Sequence, residues 1–202
     1  MRTDRRCYLA ITGTFLFLGV GIAARAGEAM AVRWDIIHLA FTSPPTISAG
    51  GTASATARNP TSLKITLTGS GTFVAPAARG GMSSAVTGGG TWVTYDGCPD
   101  ACTVTGSGTY RVSSLASWEF DVLQLLVLTD LIGPNAANGN AVLAIQYSDG
   151  SNGILGVGCH GPGADPGIVE GVIATKGFVT YWDGADTVPG VDANRTSFHI
   201  LR

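Results

Sequence analysis

Leu67-Thr-Gly-Ser-Gly-Thr-Phe73, Val86-Thr-Gly-Gly-Gly-Thr-Trp92 and Val104-Thr-Gly-Ser-Gly-Thr-Tyr110 repeat one pattern. Each copy reads aliphatic residue, Thr, Gly, Ser or Gly, Gly, Thr, aromatic residue. The copies follow one another at short, nearly equal intervals, which suit successive β-strands with their turns better than a longer solenoid repeat.

Strand geometry gives each copy two different faces, because successive side chains point to opposite sides. One face carries the aliphatic and aromatic residues with the paired glycines, and the other carries hydroxyl groups. We therefore predict three neighbouring strands that turn Phe73, Trp92 and Tyr110 into the core. The glycines are expected to let a facing ring or sheet approach closely; a strong bend and a ligand cavity are the alternatives.

The rest of the chain also favours strands, because β-branched and aromatic runs alternate with Gly, Pro and Asn breaks. Asp149-Gly-Ser-Asn-Gly153 is expected to connect a hairpin. The segment 121–132 has an alternative as a helix, since Leu123, Leu126 and Leu131 could share one side. About ten strands without βα alternation predict a single all-β domain over residues 32–202. An antiparallel β-sandwich with a jelly-roll-like double sheet is the expected fold, and a closed β-barrel is the alternative. The predicted strands are Val32–Leu39, Thr52–Arg58, Ser117–Leu128, Ala141–Tyr147, Gly153–Val157, Ile168–Thr175, Phe178–Trp182 and Thr196–Leu201.

Residues 1–31 have the pattern of a cleavable export signal: a basic start, an apolar run and small residues at Ala24-Arg-Ala26 and Ala29-Met-Ala31. Asp4-Arg-Arg-Cys-Tyr-Leu9 matches the twin-arginine export pattern, and an ordinary signal peptide is the alternative. We expect a secreted or periplasmic protein whose mature chain has no membrane span.

The composition limits the classes of partner that the protein is expected to bind. The 202 residues are 45% hydrophobic and only 13% charged, with a net charge of −2, so the chain is expected to fold and not to bind nucleic acid. An extracellular glycan or protein is the expected partner. The sequence does not indicate an oligomeric state.

Three cysteines remain beyond the export signal. Three single pairings are open, and each leaves one thiol over. Cys98 and Cys102 flank a short turn and are the pair that we expect to form a disulfide in an oxidising compartment, with Cys159 as the spare thiol. Cys159 and His160 suggest a thiol–imidazole pair, but neighbours on a strand point to opposite faces, and only a loop would bring them together. A structural thiol is the simpler interpretation.

Carboxylates form two further candidates. Glu119 and Asp121 share a predicted strand face and could divide acid and base roles, although an i, i+2 pair is closer than glycoside hydrolysis uses. Asp183, Asp186 and Asp192 lie in a predicted loop whose oxygens could bind Ca²⁺, but Asx turns and loop solvation are the favoured interpretation. The sequence otherwise predicts no cofactor.

Aromatic residues offer the remaining binding candidates, because ring faces suit sugar rings. Trp118, Tyr181 and Trp182 are the candidates that we single out, against the alternative of core packing.

A resemblance rests on the repeat glycines together with Phe73-Val-Ala-Pro76, Tyr147-Ser-Asp-Gly150, Cys159-His160, Lys176-Gly-Phe178 and the segment 189–196. On these residues the chain resembles a set of small secreted bacterial hypothetical proteins over Val32 to Ile200. The resemblance implies export and one all-β domain, and it implies no activity, ligand or catalytic residue.

The sequence thus favours an exported binding or surface-interaction module rather than an enzyme. A barrel-like carrier of a small hydrophobic ligand, with space along its glycine-lined inner faces, is one alternative. An extracytoplasmic hydrolase that uses Glu119 and Asp121, or Cys159 with a histidine, is the other.

Overall fold

A computed structural model describes residues 29–75, 82–125 and 128–201. Within these ranges, no helix is long and apolar enough to cross a membrane. The alternative of a helix over 121–132 is wrong for the described part of that segment, which is strand and irregular chain. The strands are β1 (Met30–Ala40), β2 (Thr46–Ala49), β3 (Ala53–Ala57), β4 (Lys64–Leu67), β5 (Ser70–Ala75), β6 (Val86–Asp96), β7 (Thr103–Leu123), β8 (Thr129–Asp130), β9 (Ala136–Tyr147), β10 (Asn152–Cys159), β11 (Gly171–Lys176), β12 (Val179–Gly184) and β13 (Gly190–Leu201).

Ten antiparallel strands close into a barrel. The hydrogen-bonded order runs β9, β10, β11, β12, β3, β4, β6, β5, β1, β13 and back to β9. The prediction of a sandwich is therefore wrong, and the fold is the closed β-barrel. Three extra strands, β2, β7 and β8, pair with this ring.

Closure depends on strands that change partner along their length. β6 pairs with β5 through Val86–Gly89 and with β4 through Trp92–Tyr95. β9 pairs on one edge with β13 near Ala136 and then with β10. Because β6 and β9 each pair with two successive neighbours along their length, every strand of the ring is hydrogen-bonded on both sides. The ring therefore has no open edge strand, whereas each sheet of a sandwich has two.

The prediction for the three repeats is confirmed. Gly71 pairs with Gly88 across β5 and β6, and Trp92 pairs with Gly108 across β6 and β7. Phe73, Trp92 and Tyr110 are all at most 5% exposed. On the outer face, the hydroxyls of Thr68 and Thr91 lie 2.7 Å apart, as do those of Thr72 and Thr87.

The repeat glycines make room for rings inside the barrel. A Cβ on Gly106 would lie 3.1 Å from the Trp92 ring, and one on Gly108 would lie equally close to its Nε1 atom. A Cβ on Gly71 would lie 2.8 Å from Nε1 of Trp34. A Cβ would lie still closer to the Thr87 carbonyl oxygen at Gly71 (2.2 Å) and to the Ser148 hydroxyl at Gly108 (2.3 Å). Close approach of rings and of the neighbouring strands, the first of the three predicted roles, therefore explains these glycines.

A flap, formed by β2, β8 and residues 131–133, covers the outer face of β1 and β13. β2 pairs with β1, and the short β8 runs parallel to β2. Ile37, Leu39 and Ile47 form a small apolar cluster here with Ala193, and Leu128 and Ile132 pack against it. The flap therefore adds a second layer to one side of the barrel.

The predicted disulfide between Cys98 and Cys102 is confirmed, and Cys159 is a free, buried cysteine. Most of the predicted export signal lies outside the described residues. β1 begins at Met30, which pairs with Ala75 of β5. Cleavage after Ala26 would therefore leave β1 whole, whereas cleavage after Ala31 would remove its first two residues.

Candidate functional site

A glycine-floored depression lies on the outer face of the barrel. Along β10 the side chains of Leu155 and Val157 point into the core, so Gly156 and Gly158 face outward. A Cβ on Gly156 would come within 2.5 Å of Cγ1 of Ile173, and the carbonyl oxygen of Val169 stands where a Cβ of Gly158 would be. The missing side chains thus let the neighbouring residues close in over β10.

Two adjoining depressions form this surface, which we call the trough. They enclose about 300 and 310 Å³ and share Val142, Gly156 and Ile173. Ile154 and Trp182 bound one end of the trough, and Val169 and Glu170 bound the other. The size is in the range of small-molecule sites, and the walls are mainly aliphatic, as such sites require.

Trp182 supplies the exposed aromatic ring that lines the trough. It is 54% exposed, whereas the preceding Tyr181 is 4% exposed because adjacent residues of β12 face opposite sides. Trp118 packs in the core, with its ring centroid 4.6 Å from that of Phe198 and 5.3 Å from that of Phe73. Of the three aromatic candidates, the structure leaves only Trp182 open to a ligand.

Beyond the Glu170 end of the trough, β9 stops pairing with β13 and begins to pair with β10. We call this junction between β10 and β13 the seam. The carboxylate of Glu170 bridges it by accepting the amide N–H of Thr196 at 2.7 Å and that of His160 at 2.5 Å. The Thr196 hydroxyl also donates to the carbonyl of Gly158 at 2.6 Å. Burial raises the pKa of Glu170, and the two amide hydrogen bonds oppose that rise. Glu170 therefore replaces strand pairing with a buried acceptor.

Cys159 ends β10 at this seam. Its sulfur accepts a hydrogen bond from Nε2 of Gln124 at 3.2 Å. Burial and the nearby Glu170 carboxylate raise the pKa of the Cys159 thiol above its usual range. His160 follows in the loop, and its side chain is exposed. The thiol is thus held neutral and bonded to Gln124, which is the environment of a structural cysteine.

A small cavity of about 90 Å³ opens beside Cys159 in the seam. Cys159, His160, Glu170, Arg195 and Ser197 contribute to its lining. The Nε atom of Arg195 and the hydroxyl of Ser197 are buried, and neither has a hydrogen-bond partner among the described residues. Ile37, Ile47 and Leu128 also line the cavity, so its surface is mainly apolar and the polar atoms occupy one part of it. An unmet buried polar group costs about 1–3 kcal/mol, so the two unpaired atoms are a local cost to the fold.

A buried polar layer continues along β13 beneath the flap. Nε2 of His199 lies 2.8 Å from Oδ2 of Asp130, and Arg33 donates to both oxygens of Asp35 at 2.8 Å. Burial raises the pKa of Asp35, while the Arg33 guanidinium opposes the rise. Nδ1 of His199 is buried without a partner within the described part of the chain.

The paired carboxylates are exposed near the end of β7. Oδ2 of Asp121 accepts the backbone N–H of Asp165 at 2.8 Å, which fixes a loop. Neither Glu119 nor Asp121 lines the trough or the seam cavity. Their use in hydrolysis stays a prediction.

The predicted Ca²⁺ loop is spread over separate contacts. Asp183 forms a salt bridge with Arg58 at 2.9 Å, and Asp192 accepts the Thr52 hydroxyl at 2.8 Å. The backbone carbonyl of Asp186 accepts a hydrogen bond from the side-chain amide of Asn194 at 2.8 Å. Across residues 29–75, 82–125 and 128–201, no three His, Cys, Asp or Glu side chains are grouped to hold a metal ion.

The trough and the seam were not visible as sites in the sequence. Ile154-Leu-Gly-Val-Gly158 does carry a usable signal, because two glycines at i and i+2 on one strand face indicate that neighbouring residues approach that face closely. Nothing local marks Glu170, Arg195 or Ser197, which come together only through barrel closure.

Comparison with family models, with curated proteins and with solved structures finds no match. The geometry of the trough and the seam is therefore the basis for a functional assignment.

Proposed function

We propose that this protein is a β-barrel that binds a small hydrophobic molecule in the outer trough. The observation that carries the proposal is the exposed ring of Trp182 beside the glycine-floored, aliphatic depression at Gly156. Burying a large apolar side chain gains about 1.5–3 kcal/mol, so covering Trp182 and Ile154 would supply useful affinity.

The trough is a better location for such a ligand than the inside of the barrel. Phe73, Trp92 and Tyr110 fill the interior where the sequence suggested glycine-lined space. The depression instead lies on the outer wall beside Gly156 and Gly158, where Val142 and Ile173 also line it. A ligand would therefore reach its site without opening the core.

The aliphatic walls favour an apolar ligand over a glycan. Sugar sites pair a ring face with several polar side chains that bind hydroxyls. Around Trp182 the trough offers Val142, Ile154 and Ile173, with Thr175 as the nearest hydroxyl. Binding of a glycan or protein at Trp182 is the competing proposal.

The test uses the neutral fluorescent probe N-phenyl-1-naphthylamine, which brightens in apolar sites. We expect saturable binding to the full chain, weakened about tenfold by Trp182→Ala and by Ile154→Asn. Phe178→Ala is the matched control, since Phe178 is fully exposed and lies outside the trough. Equal loss in the control, or no saturable binding at all, would overturn the proposal.

Export is part of the proposed function. The disulfide between Cys98 and Cys102 supports an oxidising compartment, where such bonds persist. Replacing both Arg5 and Arg6 by Lys should retain the protein in the cytoplasm if the twin-arginine route is used. Unchanged export in cell fractions would assign the ordinary secretion route, and a cytoplasmic wild-type chain would contradict export.

A further inference from the structure

The outward face of β13 carries unmet polar atoms at three alternating positions. They are Nε of Arg195, the hydroxyl of Ser197 and Nδ1 of His199. Ser197 is 3% exposed, and both Arg195 and Ser197 line the seam cavity. Core side chains seldom leave such atoms unpaired, and two of these three atoms belong to residues that line the same cavity.

The cavity also holds one positive and one negative side chain that do not pair with each other. Arg195 forms no salt bridge within the described ranges, and both oxygens of Glu170 accept backbone amides. The Arg195 and Ser197 side chains supply donors, and the Glu170 carboxylate supplies an acceptor. An occupant that matches this set carries an acceptor at one end and a donor at the other.

We propose that the seam cavity binds an uncharged carboxamide group. Its carbonyl oxygen would accept from Nε–H of Arg195 and the hydroxyl of Ser197, and its NH2 would donate to Glu170. This site shares Glu170 with the end of the trough, and it does not depend on the function proposed there.

Size and charge both favour this class. A cavity of about 90 Å³ holds about three waters, or a group of about four or five non-hydrogen atoms. A carboxylate would be attracted by Arg195 and repelled by Glu170, and an ammonium group would experience the reverse, so the two opposite charges favour neither ion. A neutral amide avoids both repulsions and satisfies the orphaned donors.

Acetamide is the probe, and the backbone amide resonances of Thr196 and Ser197 in the full chain report its binding. We expect these signals to shift along a saturable curve with acetamide, and to shift less and without saturation with acetate or methylammonium. Ser197→Ala and Arg195→Lys should each weaken acetamide binding at least tenfold. Arg195→Lys keeps the charge and removes the Nε–H donor.

Ser107→Ala is the control, because Ser107 lies on the outer face of β7 away from the seam. The control should bind acetamide like the wild type. A linear shift that never saturates would show that the cavity holds only water and would overturn the proposal. Stronger binding of acetate or methylammonium, or full binding by a folded Ser197→Ala or Arg195→Lys variant, would also overturn it.

Discussion

Nε2 of His199 lies 2.8 Å from Oδ2 of Asp130, and this contact ties the flap to the outer face of β13. Oδ1 of Asp130 also accepts the amides of Ile132 and Gly133 at 2.8 and 3.3 Å. One carboxylate therefore fixes the turn of the flap and joins it to the barrel wall.

Asp130→Ala should loosen the flap. The change removes three hydrogen bonds and leaves the buried His199 ring without a partner, so we expect a loss of about 2–3 kcal/mol in the free energy of unfolding by urea. Hydrogen exchange at Leu131, whose amide donates to the Ile47 carbonyl, should also speed up. Asp186→Ala, at an exposed position, should change neither quantity. Similar losses in both variants would contradict the role of Asp130.

Glu170 should make stability depend on pH in a defined direction. Burial raises the pKa of Glu170, so the folded protein favours the protonated carboxyl over the ionised one. The stability that the protonated carboxyl contributes is fully present below the ordinary glutamate pKa. It is lost as pH rises through the raised pKa of the folded state. Glu170→Gln stays neutral at all pH values. Relative to this variant, the wild type should lose stability in urea unfolding as pH rises from acid to neutral. A wild-type advantage that grows with pH would contradict this account.

The ring of Trp92 needs the space above Gly106. A methyl group there would press on ring atoms at 3.1 and 3.2 Å, so Gly106→Ala should destabilise the protein by about 1–3 kcal/mol. Gly133→Ala is the control, since its nearest contact would be 3.9 Å away. Urea unfolding measures both, and the near-ultraviolet signal of Trp92 should change only in Gly106→Ala. Equal stability of the two variants would refute the packing role.

Lys176 forms an ion pair with Asp149, and its Nζ lies 4.2 Å from the ring centroid of Trp92 and 4.6 Å from that of Tyr147. Lys176 and Ser151 lower the pKa of Asp149 to about 2. In Lys176→Met this pKa should rise toward the ordinary aspartate value, as measured by carboxyl NMR titration. Because the folded pKa is lowered, the pair stabilises the protein above the ordinary aspartate pKa and is lost as pH falls toward 2. Lys64→Met should leave the titration of Asp149 unchanged.

Local rules account for much of the fold. Alternation and the glycine repeats predict which faces of β5, β6 and β7 are buried, and the expected hairpin joins β9 to β10 through residues 148–151. Closure is different, because it depends on β1 pairing with both β5 and β13, which are far apart in sequence. Such pairings have no local signature, so a sandwich and a barrel appear alike from the strands alone.

The candidate sites also divide into features that local sequence patterns predict and features that depend on long-range contacts. Alternation alone separates the exposed Trp182 from the buried Tyr181. In the seam, the Glu170 carboxylate accepts hydrogen bonds from the amides of Thr196 and His160. These contacts form only when the barrel closes, and no residue spacing in the sequence predicts them. The sequence identifies Cys159 as an isolated thiol. Its protonation is set by burial and by the hydrogen bond from Gln124, and the sequence does not show that Gln124 lies beside it.

The position of a bound apolar molecule tests the central claim most directly. Methyl-resolved NMR on the complex with N-phenyl-1-naphthylamine should show intermolecular NOEs to Val142, Ile154 and Ile173, which line the trough. NOEs to Leu143 and Leu155, whose side chains fill the core, would place the ligand inside the barrel and contradict the account.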